Sequence, residues 1–323
     1  MIDLQLFKQI LEIDSTSGRE QDLTAFLYEN LDAPHKELLD VGDGTQNLLL
    51  SWGEPRIVFC THQDTVPPYI APTFKDETIY GRGSCDAKGQ IIALYTACKQ
   101  LEAQGKTDFA LLLLTGEETG SWGAKAFAKL PFKADYLVIG EPTENKMVSA
   151  SKGTKAFELT FRGEAFHSGY PQYGHSAIDD FVDFVNRLRA VNFPVDPILG
   201  DTTWNIGKLS SPNAQNVLSP ELKCRLYFRT TFKTDKIVSD IVKSYVNDIV
   251  EIGGDNPAEY YTLDGFEQGP VAFGSDAPHL SNFKHKIICG PGSIRHAHRD
   301  DEQITLPELQ KAVENYIEFA NKL

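Results

Sequence analysis

The most informative pattern in this chain is a short hydrophobic run followed by polar residues that can bind a metal. Such runs are nearly continuous, which is typical of strands buried on both faces of an α/β sheet. They occupy residues 57–60, 111–114, 136–139 and 287–289, and they lead in turn to His62 with Asp64, to Glu117 with Glu118, to Glu141 and to His298. Because ligands of open α/β sheets collect beyond the carboxyl ends of the strands, the pattern predicts a site at that edge.

Segments with helical spacing alternate with these strands. Helices are predicted over residues 3–13, 20–31, 88–101 and 305–321. Ser17 and Glu20 resemble a capping box at the start of the second helix. Strands that alternate with helices predict an α/β fold, with a mostly parallel sheet and helices on both of its faces.

The pattern changes near Lys152, where strands begin to alternate apolar with polar positions as half-exposed antiparallel strands do. The predicted elements from there are strand 157–161, helix 176–189, strands 203–209 and 222–230, helix 235–251 and strand 260–263. This order matches a small α+β sandwich of the split β-α-β, ferredoxin-like type. We therefore predict a catalytic domain formed by residues 1–151 and 265–323, with residues 152–264 inserted into it.

Composition narrows the class of protein. The formal net charge is −14, without a Lys/Arg-rich stretch, which argues against a nucleic-acid partner. The sequence shows neither a signal-peptide pattern nor an apolar run long enough for a bilayer, so no membrane association is expected. Five cysteines without Cys-x-x-Cys pairing favour a reducing, cytoplasmic setting. Cys60 and Cys85 adjoin candidate ligands, yet they are better interpreted as small packing residues than as thiolate ligands.

Each local signal leaves an alternative open. His62 and Asp64 share a face of an extended segment, so one can bind a metal while the other orients it, but His-x-Asp alone is weak. Asp86 ends a glycine-spaced loop and could equally be a helix N-cap. Glu117 and Glu118 point to opposite sides of an extended segment, so one can bind metal while the other acts as a base. The alternative is that both glutamates lie in a solvent-exposed loop. If the pair is buried, it needs a cation or a proton to compensate its charge.

Five motifs together resemble one known family. They are His62-Gln63-Asp64-Thr65-Val66-Pro67, the glycine-spaced segment 81–89, Thr115-Gly116-Glu117-Glu118-Thr119, Gly140-Glu141-Pro142-Thr143, and Gly290-Pro291-Gly292 continuing to His298-Arg299-Asp300-Asp301-Glu302. The chain resembles the co-catalytic zinc peptidases and deacylases, which include acetylornithine deacetylase, succinyl-diaminopimelate desuccinylase, aminoacylase and the carboxypeptidase G group. The inserted domain corresponds to that family's lid and dimerisation domain, which implies a homodimer.

The resemblance implies two zinc ions per subunit, with cobalt or manganese as possible substitutes. Asp86 would bridge the ions, His62 and Glu141 would complete one site, and Glu118 and His298 the other. We choose His298 over His296 because the spacing to Asp301-Glu302 is that of the family. Asp64 would orient His62, and Glu117 would be the general base. His279 and His285 are interpreted as surface or core histidines.

Further residues are implied in the insertion. His167 resembles the family's histidine that reaches the partner subunit's site and stabilises the oxyanion. Asn216 and Arg229 resemble its substrate-binding asparagine and carboxylate-binding arginine, although a salt bridge on the strand face explains Arg229 nearly as well. The family often has Met at the position of Ala87 and a Gly-Gly pair at Ser210-Ser211, which puts substrate choice in doubt.

The implied reaction is hydrolysis of a small-molecule N-acyl amino acid, and the Gly-Glu-Pro-Thr and Gly-Pro-Gly segments favour N-acetylornithine, as in arginine biosynthesis. Alternatives within the family are succinyl-diaminopimelate desuccinylase, acetyl-lysine deacetylase and dipeptidase. A non-catalytic dimeric metal-binding protein is the alternative of a different class, which the presence of Glu117 disfavours.

Overall fold

The structure is a computed structural model and describes residues 1–246 and 248–323. Its α-helices are α1 (Leu4–Glu12), α2 (Gln21–Asn30), α3 (Lys88–Ala103), α4 (Trp122–Phe127), α5 (Ala177–Arg189), α6 (Asp235–Lys243) and α7 (Leu306–Lys322). Its strands are β1 (His35–Gly42), β2 (Thr45–Trp52), β3 (Ile57–His62), β4 (Thr73–Lys75), β5 (Thr78–Tyr80), β6 (Phe109–Leu114), β7 (Ala134–Ile139), β8 (Met147–Ser151), β9 (Gly153–Arg162), β10 (Thr203–Ser210), β11 (Glu221–Thr230), β12 (Ile249–Gly253), β13 (Ala258–Glu259), β14 (Gln268–Val271), β15 (Phe283–Ile288) and β16 (Gln303–Thr305).

The chain divides into two compact units. The first contains Met1–Ser149, Tyr260–Gly269 and Ser275–Leu323, and the second contains Ala150–Glu259 and Pro270–Gly274. Residues 260–264, predicted in the insertion, belong to the first unit, whereas residues 150–151 and 270–274, predicted outside the insertion, belong to the second. That the units act as a catalytic domain and a lid or dimerisation domain stays a prediction.

The first unit is built on a six-stranded sheet in the order β1-β2-β6-β3-β7-β15. Strands β6, β3, β7 and β15 run parallel, whereas β1 and β2 are antiparallel additions at one edge. The α/β prediction is confirmed, with a mixed sheet whose four neighbouring strands β6, β3, β7 and β15 are parallel. Every residue of β3 and β6 is buried, which explains their continuous apolar sequences.

The core of the first unit fixes the strands against two helices. Phe59 of β3 and Leu111 of β6 are completely buried, in the same hydrophobic cluster as Ile91 of α3 and Phe319 of α7. Burial of a side chain of this size contributes roughly 2 kcal/mol. The carboxyl ends of the parallel strands therefore start from a rigid base.

The second unit contains a four-stranded antiparallel sheet in the order β10-β11-β9-β12. Buried positions alternate along β11, and α5 and α6 pack against the sheet, with Phe184 and Val238 in the same hydrophobic cluster as Phe157 and Phe228. One face of the sheet is therefore covered by helices. Helix α5 begins after Ser176, whose hydroxyl accepts a hydrogen bond from the Ile178 amide at 3.3 Å.

Three local predictions were wrong. The helix predicted over 235–251 ends at Lys243, and Ile249–Gly253 instead pairs with β9, because cross-strand pairing overrides the spacing of a short apolar run. Residues 260–263, predicted as the last strand, lie outside regular strands. The capping box is absent, since Glu20 is the N-cap of α2 without a side-chain cap and the Ser17 hydroxyl donates to Asp64 at 2.8 Å.

No described helix combines the length and apolarity that crossing a bilayer requires.

Candidate metal centre

The predicted ligands of the first unit follow the carboxyl ends of its central strands. His62 is the last residue of β3, Glu117 and Glu118 follow β6, and Glu141 follows β7. Parallel strands end at one edge of a sheet, so these side chains meet there. His298 comes from the loop after β15.

Three groups of side chains in the described chain could each hold a cation. Within each group the ligand atoms lie within 4.8 Å of one another, and the groups are His62 with Asp86 and Glu141, Asp86 with Glu118 and His298, and His62 with Glu117 and Glu118. The first two have the composition of the predicted ligand sets and share Asp86. Mixed imidazole and carboxylate donors fit zinc, whereas calcium and magnesium prefer oxygen ligands alone.

Asp86 faces a histidine with each of its carboxylate oxygens. Its Oδ1 lies 3.0 Å from His62 Nε2, and its Oδ2 lies 3.3 Å from His298 Nε2. Burial opposes ionisation of Asp86, but the hydrogen bonds to both histidines hold its pKa well below the usual range. Asp86 precedes the N-cap residue of α3, which is Ala87 without a side-chain cap, so the N-cap alternative is wrong. An ionised carboxylate with one oxygen toward each group is what a bridging ligand requires.

His298 lies between two acids. Its Nε2 is 2.9 Å from Glu118 Oε1, and hydrogen bonds to Asp86 and Glu118 raise its pKa to about 10. The side chain of His298 is 47% exposed, compared with 2% for His62. His62 is therefore fixed by a buried strand, whereas His298 lies on a loop with its side chain half-exposed.

Asp64 connects the end of β3 to the turn that bears both glutamates. Its carboxylate accepts the amide hydrogens of Glu117 at 3.0 Å and Glu118 at 3.1 Å, in addition to the Ser17 hydroxyl. The predicted contact between Asp64 and His62 is present: His62 Nδ1 lies 3.4 Å from Asp64 Oδ1 and 2.9 Å from the Asp64 carbonyl oxygen. Asp64 thus contacts the ring nitrogen of His62 that is turned away from Asp86, and it also fixes the backbone of the next two candidate residues.

Glu117 has the electrostatic setting of a general base. Burial raises its pKa well above the usual value, and the charges of Asp276, Glu118 and Asp86 raise it further, although His62 opposes this. A base works best when its pKa lies near the working pH, and a carboxylate reaches that range only when its charged form is disfavoured. The pKa of Glu141 is also raised well above the usual value, because burial and the charge of Asp86 disfavour its ionised form.

Two buried acids beside the ligands were missed as functional candidates. Asp276 is 2% exposed, and burial raises its pKa to about 6. It hydrogen-bonds to Ser121, whose amide donates to the carbonyl of Glu117 at 3.2 Å. Glu302 accepts the amide hydrogen of Asp86 at 3.0 Å. Glu302 ends the motif that begins at His298, whereas no spacing in the sequence singles out Asp276.

The three site residues predicted in the insertion belong to the second unit. His167 is exposed and forms an isolated bridge with Val217, and the amide of Ser168 donates to the carbonyl of Asn216 at 2.9 Å. His167 and Asn216 therefore lie on adjacent segments. The guanidinium of Arg229 lies 5.2 Å from the centre of the Tyr227 ring.

Three further histidines and two cysteines lie near the motifs. His285 stacks on Tyr136 with ring centres 5.2 Å apart, and His279 and His296 are half-buried. Cys60 and Cys85 are completely buried, and burial raises the pKa of both thiols well above the usual value. Both cysteines are therefore protonated packing residues.

Comparisons with known proteins match nearly the whole chain. The model of peptidase family M20/M25/M40 matches residues 58–322. A peptidase M20 domain-containing protein of Schizosaccharomyces pombe is 33% identical over 97% of this chain and 82% of its own length. A probable carboxypeptidase of Aspergillus oryzae is 32% identical over 97% of this chain and 85% of its own.

Solved structures show the same fold at lower identity. A tripeptidase from Staphylococcus aureus superposes with a TM-score of 0.80 at 19% identity, covering 99% of this chain and 98% of the other. An M20 family metallo-carboxypeptidase from Sulfolobus solfataricus gives 0.77 at 17% identity, covering 98% of each chain.

Proposed function

The chain belongs to peptidase family M20/M25/M40 and is a hydrolase of that family, and we propose that it cleaves the amide bond beside a free carboxylate in short peptides. The observation that carries the proposal is Asp86, which is shared by two clusters of metal-binding side chains, with Glu117 in a third cluster that overlaps them. Such an arrangement suits hydrolysis, which needs an activated water and a base beside it.

We propose peptides rather than N-acetylornithine as the main substrates. The relatives and solved structures described above include carboxypeptidases and a tripeptidase, and none of these carries the name of a deacetylase. An N-acyl amino acid presents the same bond beside the same carboxylate. We therefore propose a dipeptidase or carboxypeptidase activity and keep N-acetylornithine as a test substrate.

Two of the donor groups support the cation ligands of this proposal. His62, Asp86 and Glu141 would hold one zinc ion, and Asp86, Glu118 and His298 the other. Bound zinc supplies a Lewis acid for the substrate carbonyl and lowers the pKa of water. Cobalt or manganese would serve as substitutes with the same ligands.

Glu117 has the central chemical role among the residues of the chain. Its carboxylate takes the proton from the attacking water and gives it to the departing amine, a contribution of about 100- to 10,000-fold. Asp64 keeps the backbone of Glu117 in place, because its carboxylate accepts the amide hydrogen of Glu117.

The second unit supplies the remaining roles in the proposal. His167 donates a hydrogen bond to the oxyanion, and Asn216 and Arg229 bind the substrate, with Arg229 holding its carboxylate through two parallel hydrogen bonds. By resemblance to the family, these roles involve a homodimer through the second unit.

Turnover of a substrate panel tests the proposal. Purified protein is freed of metal with a chelator, reloaded with zinc, cobalt or manganese, and assayed on dipeptides, tripeptides, N-acetylornithine and other N-acyl amino acids. We expect turnover that depends on the metal and that is higher for peptides. Preference for N-acetylornithine would return the assignment to a deacetylase, and metal binding without turnover of any substrate would indicate the non-catalytic alternative.

The Glu117→Gln variant tests the base. We expect kcat to fall about 100- to 10,000-fold while the content of bound metal is unchanged, because the amide cannot accept the proton. Glu37→Gln is the matched control, since Glu37 lies in β1 with its side chain exposed. Wild-type turnover by Glu117→Gln would refute the assignment.

A further inference from the structure

A buried ion pair lies beside the candidate cation ligands and has no role in the chemistry proposed above. Arg82 Nη1 is 2.6 Å from Glu302 Oε2, and the two side chains are 1% and 0% exposed. A buried pair costs desolvation that its mutual attraction repays only with good geometry, so apolar residues are often at least as stable in its place. This pair therefore invites a function other than stability.

Glu302 uses its second oxygen to hold the backbone at the shared ligand. Its Oε1 accepts the amide hydrogens of Cys85 at 3.1 Å and Asp86 at 3.0 Å. The Asp86 side chain then projects toward both His62 and His298. A carboxylate that accepts two consecutive amides fixes the orientation of the peptide between them.

Arg82 uses its other donors on the segments that carry the two histidines. Its Nη1 also donates to the carbonyl of Arg299 at 3.0 Å, one residue after His298. Its Nε donates to the carbonyl of Pro68 at 3.2 Å, in the segment that follows His62. The planar guanidinium offers donors in fixed directions, which a lysine does not.

The loop of His298 needs such support. His298 has a φ of 64°, in the left-handed region that non-glycine residues rarely adopt, and its side chain is half-exposed. The next peptide is held by Arg82, and the amide of Glu302 donates to the carbonyl of Arg299 at 3.3 Å. The ion pair thus contacts the backbone on both sides of the Asp86–His298 contact.

We infer that Arg82 and Glu302 are a positioning pair that sets the distance between Asp86 and His298, and so preorganises the cation site formed by Asp86, Glu118 and His298. The inference rests on the proposed function only for the identity of the cation. The site with His62 and Glu141 depends less on the pair, because His62 is fixed by β3 and Glu141 follows β7.

Glu302→Gln tests the pair with little change of shape. The amide oxygen can still accept from the Asp86 backbone, but the charge opposite Arg82 is lost. Cobalt is titrated into metal-free protein in the presence of a competing chelator, and the two binding steps are followed by the visible absorption of the ion. We assign the weaker step to the site of Asp86, Glu118 and His298, because His298 is half-exposed. We expect this step to lose about 10- to 100-fold in affinity, with the stronger step less affected.

Asp301→Asn is the matched control. Asp301 pairs with Arg299 on the surface, with the two side chains 63% and 60% exposed, one residue away from Glu302. We expect both cobalt affinities of this variant to stay within twofold of wild type. Arg82→Lys serves as a second variant, since it keeps the charge and loses the fixed fork of donors, and we expect it to weaken the same step.

The outcomes separate the inference from the proposed function. Loss of stability to urea in Glu302→Gln and Arg82→Lys, with both cobalt affinities unchanged, would show a purely structural pair and overturn the inference. If Glu302→Gln does not fold, Arg82→Lys alone decides between these results. Wild-type protein that binds two cobalt ions but cleaves no peptide would end the proposed function and leave the inference standing if the variants weaken the same step.

Discussion

Substitution of Asp64 by Asn is the sharpest test of how the fold holds the turn with Glu117 and Glu118. The Asp64 carboxylate is completely buried and accepts hydrogen bonds from the Ser17 hydroxyl and from both glutamate amides. Asparagine has the same shape, but one of its two polar atoms is a donor. In either orientation the new amide group faces at least one N–H or O–H donor.

The structure sets the size of the expected loss. A hydrogen bond to a charged group contributes roughly 1.5–3 kcal/mol, and a buried donor left without a partner costs roughly 1–3 kcal/mol. Asp64→Asn loses the charge for all its donors and turns a donor toward one of them. We therefore expect the free energy of unfolding of the metal-free protein to fall by about 3 kcal/mol at neutral pH.

The loss depends on pH with a definite sign. Burial opposes ionisation of Asp64, but the nearby His62 ring and the hydrogen bonds from Ser17 and the Glu117 amide lower its pKa below the ordinary 3.8. A lowered pKa means that this carboxylate stabilises the fold above pH 3.8, and that the contribution is lost as the pH falls through the lower folded-state value. The difference between wild type and Asp64→Asn should therefore shrink as the pH falls below 3.8.

Urea unfolding of chelator-treated protein measures the effect, with Asp183→Asn on the exposed side of α5 as the control. A fall in kcat should accompany it, because the backbone of Glu117 loses its anchor. Stability of Asp64→Asn within about 0.5 kcal/mol of wild type at neutral pH, the size usual for surface changes, would refute the reasoning.

Three further substitutions probe the surroundings of the site. Asp276→Asn should stabilise the metal-free protein by about 3 kcal/mol above pH 6, because burial raises the pKa of Asp276 from 3.8 to about 6. The stability that the protonated form of Asp276 contributes is complete below pH 3.8 and is lost as the pH rises through 6. Urea unfolding at both ends of this pH range measures the effect, and equal effects at both ends would contradict the prediction. Asn47→Ala should cost roughly 2–4 kcal/mol, because Asn47 is fully buried and accepts the amide hydrogen of Thr115 at 3.1 Å; thermal unfolding shows this as a lower Tm. Gly290→Ala should prevent normal assembly of the site, since a Cβ there would lie 2.6 Å from the carbonyl oxygen of Glu141; cobalt binding of wild-type strength in this variant would show that the backbone yields.

The sequence was sufficient to predict residues that follow buried strands. Continuous apolar runs identify β3, β6 and β7, and parallel strands necessarily end at one edge, so His62, Glu117 and Glu141 meet whatever the loops between them do. The same reasoning failed in the second unit at α6 and β12. There the run around Ile249 fits a helix or a strand, and pairing with β9 decides between them.

Contacts made by loops were beyond sequence reasoning. Glu302 bonds to the amide of Asp86 across 216 positions, and Asp276 reaches Ser121 from another part of the chain. Ser17 looked like half of a capping box, because a serine three residues before a glutamate has the same spacing whether it caps a helix or bonds elsewhere. Only the folded chain shows that its hydroxyl belongs to Asp64.

Four acids of the candidate site fall into two classes by what compensates their charge. Asp64 and Glu302 each receive three hydrogen bonds from donors of the protein. At Glu302 burial still raises the pKa, and these donors reduce the rise.

Glu117 and Glu141 form the second class, because burial raises their pKa values well above the usual range. An acid in this state takes either a proton or a cation, since an uncompensated buried charge is costly. The first class therefore holds the backbone of the site, and the second contains a proposed ligand, Glu141, and the proposed base, Glu117. This division follows from the placement of amides and Arg82 around the acids, and it is the reason why we propose different roles for neighbouring carboxylates such as Glu117 and Asp64.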